Sequence, residues 1–474
     1  MSQSADTLTS RQRSDLGASD PLRAFKDKLA QYSITMGGLM VLMTLLMIFG
    51  YLLYVVEPVF RNASIEIHQQ QQLEANTNVV ATGSDELNEI AYYYTDKGQL
   101  HFYPLVETSP AKSVVELPLV DTQSIASIAS VNSDVAFGLS DGSLLVSQPS
   151  FMMSFTDKGR EIAPQVRYPL GEESLTIDAQ GQPLTQLAFQ RDEEQVSAVA
   201  LTQDHRLLLA TLVAEENFMT EEVEWVSETN QLHGIPTSIN KLQITPDQRL
   251  LFVQSANQLY IYDIVAGAFD APRQVVEINE PGAKVTDISL MSGGSSILVG
   301  NSNGVITQWF ETKSDRGRRL TKIRNFTIEG SVEKIQAEPF RKTFAVLNDK
   351  GDLRLFHSTS EADLLDEPLV NKATALQFSP RNNALIFTTK DSIDFYNLEN
   401  EHPEVTWSAL WQEVWYEGYP EPDYVWQSTS ASDDFEPKLS LVPISFGTIK
   451  AALYAMLFAV PLAIAGAIYT AYFM

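Results

Sequence analysis

Cysteine is absent from this sequence of 474 residues. Without thiols the chain has no disulfides, no thiolate nucleophile and no thiolate zinc site. The absence suits an oxidising compartment, where a stray thiol is a liability, although many cytosolic chains also lack cysteine. The length exceeds one ordinary domain and is ample for a large core.

Basic side chains are scarce: 33 Lys and Arg residues stand against 60 Asp and Glu residues, which gives a formal charge of −27. A surface of this sign repels phosphate backbones, so we expect no nucleic-acid partner. We interpret the acidity itself chiefly as a contribution to solubility.

Histidine is rare, and the six residues are scattered: His68, His101, His205, His233, His357 and His402. They form neither a His-x-x-x-His pair nor the His-Glu-x-x-His motif of a zinc enzyme. No glycine-rich stretch ends in the Gly-Lys-Ser/Thr of a phosphate loop. We therefore predict no catalytic residue, no metal site and no cofactor, and expect that the protein is not an enzyme.

Charge is missing from two long apolar runs, residues 34–56 and 451–474. Each is long enough to cross a hydrocarbon core of ~30 Å. Twelve Leu, Ile, Val or Phe residues in the first run favour insertion by about 5 kcal/mol. That run is too long for a cleaved signal peptide, so we interpret it as a retained anchor. The alternative for the second run is a buried helix of a soluble domain.

The flanks of the first run predict its orientation. Five basic residues precede it, namely Arg11, Arg13, Arg23, Lys26 and Lys28, whereas only Arg61 is basic in the twenty residues that follow. The positive-inside rule then places the N-terminus in the cytoplasm and the following domain on the far side of the membrane. Residues 1 to about 20 are polar and are predicted to be disordered.

The region between the apolar runs repeats one pattern, in which a tight turn of Asp, Asn or Gly joins two β-rich segments. The clearest copies centre on Gly98, Gly142, Gly304 and Gly351, with weaker copies at Asn257 and Asp391. Such turns need a residue with positive φ, which Gly, Asn and Asp tolerate best. A second turn precedes several of these, as in Thr245-Pro246-Asp247 and Ser379-Pro380-Arg381.

The spacing of the turns predicts the architecture. Gly98 and Gly142 are 44 residues apart, and Gly304 and Gly351 are 47 apart. A repeat of about 40–45 residues built from four short strands is typical of a β-propeller blade. We predict an all-β propeller of seven blades, with eight as the alternative, flanked by transmembrane α-helices. Residues 63–67 are expected to pair with the last blade and close the ring.

Five segments follow from these observations. We predict a cytoplasmic tail (1–30), a transmembrane helix (31–57), a periplasmic propeller (58–400), an aromatic juxtamembrane segment with a linker (401–438) and a final apolar segment (439–474).

The juxtamembrane segment concentrates tryptophan. Trp407, Trp411 and Trp415 fall at helical spacing on one face, and Trp426 follows. Amphipathic rings settle at a membrane–water boundary, so these residues are candidates for a helix lying on the outer leaflet. The alternative, equally open, is that the rings pack beneath the propeller.

One basic cluster interrupts the acidic domain: Arg316, Arg318, Arg319, Lys322 and Arg324. We interpret it as a solvated loop between blades, with a docking patch for an acidic partner or a lipid headgroup as the alternative.

The final segment contains Phe446-Gly447-Thr448, Val460-Pro461-Leu462 and Ile468-Tyr469. In this order and spacing the motifs resemble the start of the permease domain in the phosphate-importer family of ABC transporters. The resemblance covers the first helix and about 35 C-terminal residues. Small residues that allow close helix packing agree with it.

The resemblance implies a multi-pass permease subunit, in the bacterial inner membrane, of an importer for phosphate or a related oxyanion. It implies three partners: a second permease subunit, an ATP-binding subunit that hydrolyses ATP, and a periplasmic substrate-binding protein docked on the propeller. The chain departs from the family in its large extracytoplasmic domain and in ending at Met474, which would make it a fragment or half of a split permease. The alternative is a membrane-anchored periplasmic propeller that acts as a scaffold or sensor without transport.

Overall fold

The computed structural model describes residues 21–107, 112–156, 159–216, 223–267, 269–294, 296–314, 317–369, 371–429 and 436–473. The predicted disorder of residues 1 to about 20 lies outside these ranges. The chain divides into two compact units after Arg61.

The first unit contains one long helix, α1 (Pro21–Val56), followed by a 3₁₀ turn at Glu57–Phe60. The helix begins ten residues before the predicted position because residues 22–33 are mostly good helix formers. It ends at Val56 because Pro58 disfavours the α conformation in the residue before it. Every side chain described in α1 is exposed.

The second unit is built from strands. In chain order they are β1 (Ser64–Gln72), β2 (Val79–Ser84), β3 (Ile90–Thr95), β4 (Gln99–Pro104), β5 (Ser113–Glu116), β6 (Ile125–Val131), β7 (Asp134–Leu139), β8 (Ser143–Thr156), β9 (Gly159–Arg167), β10 (Leu175–Thr176), β11 (Leu184–Arg191), β12 (Gln195–Thr202), β13 (Leu207–Glu216), β14 (Val223–Leu232), β15 (Lys241–Ile244), β16 (Leu250–Ser255), β17 (Gln258–Asp263), β18 (Gln274–Glu277), β19 (Val285–Leu290), β20 (Ser296–Asn301), β21 (Val305–Ser314), β22 (Gly317–Thr327), β23 (Val332–Ala337), β24 (Thr343–Asn348), β25 (Asp352–His357), β26 (Ala362–Pro368), β27 (Ala375–Phe378), β28 (Ala384–Thr388) and β29 (Ser392–Glu399).

These strands form a seven-bladed β-propeller, which confirms the predicted fold; the eight-bladed alternative is wrong. From the centre outward, blade 1 is β2 to β5, and blades 3, 4, 5 and 6 are β11 to β14, β15 to β18, β19 to β22 and β23 to β26. Blade 2 is β6, β7, β8 and β10, with β9 paired to the far end of β8. Blade 7 is β27, β28, β29 and β1.

The first strand closes the ring, as predicted for residues 63–67. Strand β1 pairs antiparallel with β29, from Ser64 opposite Glu399 to Gln72 opposite Ser392. The glutamine run at Gln69 to Gln72 is therefore part of the closing strand. Because Ser64 and Glu399 are paired, the chain enters and leaves the propeller at the same end of blade 7.

The turns between the second and third strands carry left-handed residues in blades 1 to 6, as predicted, but the weaker copy predicted at Asp391 in blade 7 has none. Their φ angles are 76° at Gly98, 81° at Gly142, 80° at Gly304 and 93° at Gly351. In blade 4 the left-handed residue is Ala256, with φ of 47°, and not the predicted Asn257. We call the face that bears these turns the upper face.

The opposite, lower face carries the turns between the first and second strands of each blade. Side-chain oxygens close these turns: Leu250 N donates to Thr245 Oγ1 at 3.0 Å, and Ala384 N donates to Ser379 Oγ at 3.0 Å. The ring closure at Ser64 also lies at this face, because β29 runs from the upper to the lower face.

The core lies between the blades. Strands β3, β7, β20 and β24 are buried at every residue, because neighbouring blades cover both of their faces. Aromatic rings bridge adjacent blades, with Tyr94 5.4 Å from Phe137 and Phe326 5.1 Å from Phe344 between ring centroids. Burying one such side chain contributes about 1.5–3 kcal/mol.

After blade 7 the chain forms a short helix, α2 (Trp407–Trp411), two short paired strands, β30 (Trp426–Gln427) and β31 (Lys438–Leu439), and a long helix, α3 (Val442–Phe473). Pro461 lies inside α3. The side chain of Thr406 caps α2 by accepting a hydrogen bond from Ala409 N.

Candidate functional site

The first strands of the blades surround a central channel with a cavity of about 1640 Å³. Five glutamines from blades 3, 4, 6 and 7 contribute to its lining: Gln186, Gln190, Gln243, Gln336 and Gln377. Amide side chains both donate and accept hydrogen bonds, so the channel is suited to a polar ligand or a peptide backbone.

A charged junction ties three blades together beside the channel. Lys241 Nζ of blade 4 donates to Asp287 Oδ1 of blade 5 at 2.7 Å and to Ile288 O at 2.6 Å. Asp287 Oδ2 accepts from Ile335 N of blade 6 at 2.9 Å and lies 4.0 Å from Lys334 Nζ. Burial lowers the pKa of Lys241, although the neighbouring Asp287 opposes this shift.

A second cavity, of about 590 Å³, opens beside this junction towards the upper face. Its lining includes Lys241, Lys284 and Lys334, with Asp287 as the acidic side chain. In a protein with an overall charge of −27, a cavity with an excess of lysine attracts anions locally.

The lower mouth of the channel is lined by polar residues, such as Asp85, Asn132 and Arg381, and by apolar ones. The lower-face turns contribute Leu87 of blade 1, Pro246 of blade 4, Met291 of blade 5, Phe340 of blade 6 and Pro380 of blade 7. Phe340 is 60% exposed although it is large and apolar. Leu87, Pro246 and Phe340 therefore expose apolar surface at this end of the propeller, whereas Met291 is buried.

An extended hairpin of blade 2 reaches this mouth. Strands β8 and β9 continue past the blade, from Gln148 opposite Arg167 to the end of β8. The hairpin packs on blade 1, where the Phe151 ring lies 6.3 Å from Tyr92 and Arg160 forms an ion pair with Glu89. The long interval between Gly142 of blade 2 and Asn257 of blade 4 was predicted to contain one further blade. It contains that blade and also this hairpin.

The segment after blade 7 is fixed to the lower face. We call residues 400–429 and 436–441 the strap. Arg341 Nη1, from a lower-face turn of blade 6, donates to Asn400 O at 2.7 Å. Ser360 Oγ, from the turn that follows β25, donates to Pro403 O at 2.9 Å. At the other end of the strap, Leu441 N donates to Leu410 O at 2.8 Å.

Buried charges anchor the middle of the strap to blades 5 and 6. Lys342 Nζ donates to Glu417 Oε2 at 2.8 Å and to Ser292 O at 2.6 Å. Arg324 Nη2 donates to Trp415 O at 2.5 Å and Nη1 donates to Ser358 O at 2.6 Å.

Burial controls ionisation in this cluster. It lowers the pKa of Arg324 and raises the pKa of Glu338 and Glu436. Burial, with Arg341, Arg324 and Lys342 nearby, also lowers the pKa of His357 to about 3. His357 is therefore neutral near pH 7 and shares a 2.8 Å hydrogen bond with Ser360 Oγ.

The predicted helical face of tryptophans is not formed, because α2 ends at Trp411. Trp415 is half-buried, and its ring lies 6.1 Å from Phe310 of blade 5 in an edge-on contact. Trp407, Trp411 and Trp426 are 70%, 45% and 43% exposed. Trp415 therefore packs on the propeller, as the second alternative predicted, whereas the membrane-boundary position of the other three rings stays a prediction.

The six motif positions of the final segment, Phe446, Gly447, Thr448, Val460, Pro461 and Leu462, all lie in α3 and are exposed. Thr448 Oγ1 donates to Ile444 O at 2.8 Å, the usual local bond of a threonine within an apolar helix. These residues form no site with other parts of the chain that the structure describes.

The basic cluster lies on a strand and not in the predicted loop. Arg318 and Arg319 are exposed on β22, the outer strand of blade 5, while Lys322 forms an ion pair with Glu280. Arg324 is buried against the strap, and Arg316 lies outside the described residues. The cluster is thus divided between the exposed start of β22 and its more buried second half.

One stretch of the sequence matches the Gly-x-Ser-x-Gly pattern of a hydrolase nucleophile. Gly138-Leu139-Ser140-Asp141-Gly142 matches the sequence pattern of a nucleophile elbow, but it joins β7 to β8 as a hairpin turn and does not join a strand to a helix.

Across the described residues, no group of three or more His, Asp or Glu side chains is placed to hold a metal ion.

Two helices are long and apolar enough to cross a membrane. Among the described residues these are Phe25–Phe60 and Val442–Phe473, whose most apolar 18-residue windows have mean hydropathies of 2.5 and 2.1 and are not buried. Exposed apolar helices of this length fit a propeller that is attached to a membrane.

No family model matches the sequence. Among solved structures, the chain is similar to a chain in the crystal structure of a mitotic checkpoint complex. The TM-score is 0.44 with 12% sequence identity, over 72% of this chain and 92% of that chain.

The predicted membership of the phosphate ABC transporter permease family is wrong, since no family model supports it. Its motifs are small residues, one proline and aromatic ends, which apolar membrane-type helices commonly contain. The second permease subunit, the ATP-binding subunit and the substrate-binding protein rested on that resemblance alone.

The hairpin of β8 and β9 and the buried anchor of the strap were missed by sequence reasoning. The hairpin left one signal, an uninterrupted β-rich stretch from Ser143 that is too long for a blade strand. The strap left none, because its partners are distant in sequence.

Proposed function

We propose that this protein is a membrane-anchored β-propeller that acts as an interaction scaffold or sensor, without catalytic or transport activity. The observation that carries the proposal is the strap. It fastens blades 5 and 6 to residue 441, and α3 begins at the next residue. A propeller joined in this way to an exposed apolar helix is held at a fixed distance from the membrane.

The proposed orientation follows from the basic residues that precede the apolar run of α1, residues 34–56. We propose that the N-terminus is cytoplasmic and that the propeller lies on the far side, in the periplasm of a bacterial inner membrane. The upper face and its lysine-lined cavity would then be open to the aqueous compartment. Its partners would be proteins or small anions and not nucleic acid, because of the net charge of −27.

The absence of cysteine from the sequence makes a clean topology experiment possible. Single variants Lys97→Cys, in an exposed upper-face turn, and Ser4→Cys, near the N-terminus, would be treated in intact cells with a membrane-impermeant maleimide. We expect labelling at position 97 only, and labelling at both positions after the membrane is permeabilised. The chain should also stay in the pellet after alkaline carbonate washing. Labelling at position 4 alone in intact cells would contradict the orientation, and release by carbonate would contradict the anchor.

A further inference from the structure

The lower face carries both the entry of the chain into β1 and the strap that leads to α3. Leu441 is held by its hydrogen bond to Leu410, so α3 starts one residue from a fixed point on the folded domain. If the charge-free part of α3 after Lys450 spans a membrane, about nine helical residues, or roughly 13 Å, separate the membrane surface from this fixed point.

The same face exposes large apolar side chains at points far apart around the ring. On the side of blades 1 and 2, the extended hairpin exposes Phe155 by 80% and Met152 by 51%. On the side of blade 6, Phe340 is 60% exposed in a lower-face turn. The exposed rings of Trp407 and Trp411 lie on the part of the strap that Thr406 and Ser408 bind to Ser360 O of the same blade.

Blades 2 and 6 are separated by two blades on one side of the ring and by three on the other. The hairpin, however, packs on blade 1, which blade 7 alone separates from blade 6 on one side of the ring, so the hairpin and the Phe340 turn are two separate points at the channel mouth. The hairpin, the Phe340 turn and the strap are three points that do not lie on one line. Contacts at three such points fix the tilt of a rigid domain relative to a flat surface.

We propose that the lower face lies on the membrane surface, with Phe155 of the β8–β9 hairpin and Phe340 of blade 6 inserted at the boundary between headgroups and acyl chains. This proposal rests on the proposed function, since it requires α3 to be a membrane span. Aromatic rings prefer this boundary. The channel then opens to the aqueous compartment at its upper end and is closed by lipid at its lower end.

A bilayer is favoured over a protein partner because the attachment leaves little room for one. A soluble partner would have to fit beneath a face whose strap ends one residue before the apolar helix.

The test uses single-cysteine variants of the full chain, labelled with an environment-sensitive fluorophore in phosphatidylcholine nanodiscs. The probed positions are Phe155→Cys and Phe340→Cys, with Lys97→Cys on the upper face as the water-exposed control and Ala459→Cys inside α3 as the span control. Acyl chains brominated near the headgroup or near the bilayer centre quench labels at different depths.

We expect both probed labels to be quenched best by the shallow bromines, at a depth of about 5–10 Å into the boundary. The label at position 97 should not be quenched, and the label at position 459 should be quenched best by the deep bromines. If position 459 is quenched but position 155 or 340 is not, and the unquenched label is reached by aqueous iodide, the docked lower face is refuted while the anchor stands. If position 459 is not quenched, the proposed function fails as well.

Discussion

Lys342 Nζ of blade 6 lies 2.8 Å from Glu417 Oε2 of the strap, and the two side chains are only 9% and 16% exposed. The pair joins the propeller to the segment that leads into α3. Glu417 also accepts a hydrogen bond from Ser296 of blade 5. Two blades and the strap therefore meet at one carboxylate, and the rigidity of the attachment depends on it.

We expect Lys342→Met to destabilise the protein by about 3–5 kcal/mol, because it leaves Glu417 buried without its cation. Lys350→Met is the matched control, since the pair of Lys350 with Glu329 is 55% and 82% exposed and should contribute no more than about 1 kcal/mol. Denaturant unfolding in detergent, followed by tryptophan fluorescence, would compare the two variants. Equal effects would show that the buried pair does not fasten the strap.

This pair also marks the limit of prediction from the sequence. The hairpin turns at Gly98 and Gly304 could be predicted because a positive φ is a local requirement of the turn. Lys342 and Glu417 are 75 residues apart, and nothing in the intervening sequence indicates that they meet. Trp415 shows the same limit. Helical spacing suggested that it shares a face with Trp407 and Trp411, but its ring instead packs against Phe310, which lies in blade 5 and is distant in sequence.

The resemblance to a permease failed for a related reason. Its motif positions, such as Gly447 and Pro461, lie in an apolar helix whose composition is set by a nonpolar environment. A repeat with fixed spacing carries more information, because each copy must satisfy the same turn geometry. The blades could therefore be predicted, whereas the family could not.

Gly304 tests the turn geometry directly. Its φ is +80°, and an added Cβ would lie 2.3 Å from Ile328 O and 2.5 Å from Gly330 O. Gly282 has a similar φ of +77° but faces open space. Gly282→Ala should therefore lower the free energy of unfolding by about 1 kcal/mol, from the left-handed backbone alone. Gly304→Ala should lower it by more, because two carbonyl groups must move. Paired melting curves would check this difference, and matching losses would argue against the close approach.

Asp287 is the link between blades 4, 5 and 6, since it accepts from Lys241 Nζ and from Ile335 N. We expect Asp287→Leu to destabilise the protein by about 3–5 kcal/mol, because Lys241 loses its carboxylate partner. The double variant Lys241→Met with Asp287→Leu should recover part of this loss, since it no longer buries an unpaired cation. A double-mutant cycle on denaturant unfolding measures the coupling. Purely additive losses would show that the pair is not coupled.

His357 makes stability depend on pH. Its pKa is lowered from 6.5 to about 3 in the folded chain, so the unfolded chain takes up a proton first as the pH falls. The contribution of neutral His357 to the free energy of unfolding is fully present above pH 6.5. Below pH 6.5 it is lost at up to about 1.4 kcal/mol per pH unit. Glu338 and Glu436 act in the opposite sense, because burial raises their pKa and the folded chain protonates them first.

The variant His357→Gln isolates the histidine contribution from that of the carboxyl groups. Between pH 6.5 and 5 the free energy of unfolding of the wild type should fall by about 2 kcal/mol more than that of the variant. His233→Gln, at an exposed side chain, is the matched control. The measurement is denaturant unfolding at a series of pH values. Parallel curves for the wild type and His357→Gln would mean that His357 is not held neutral by the fold, and the buried anchor of the strap would then be more hydrated than the structure shows.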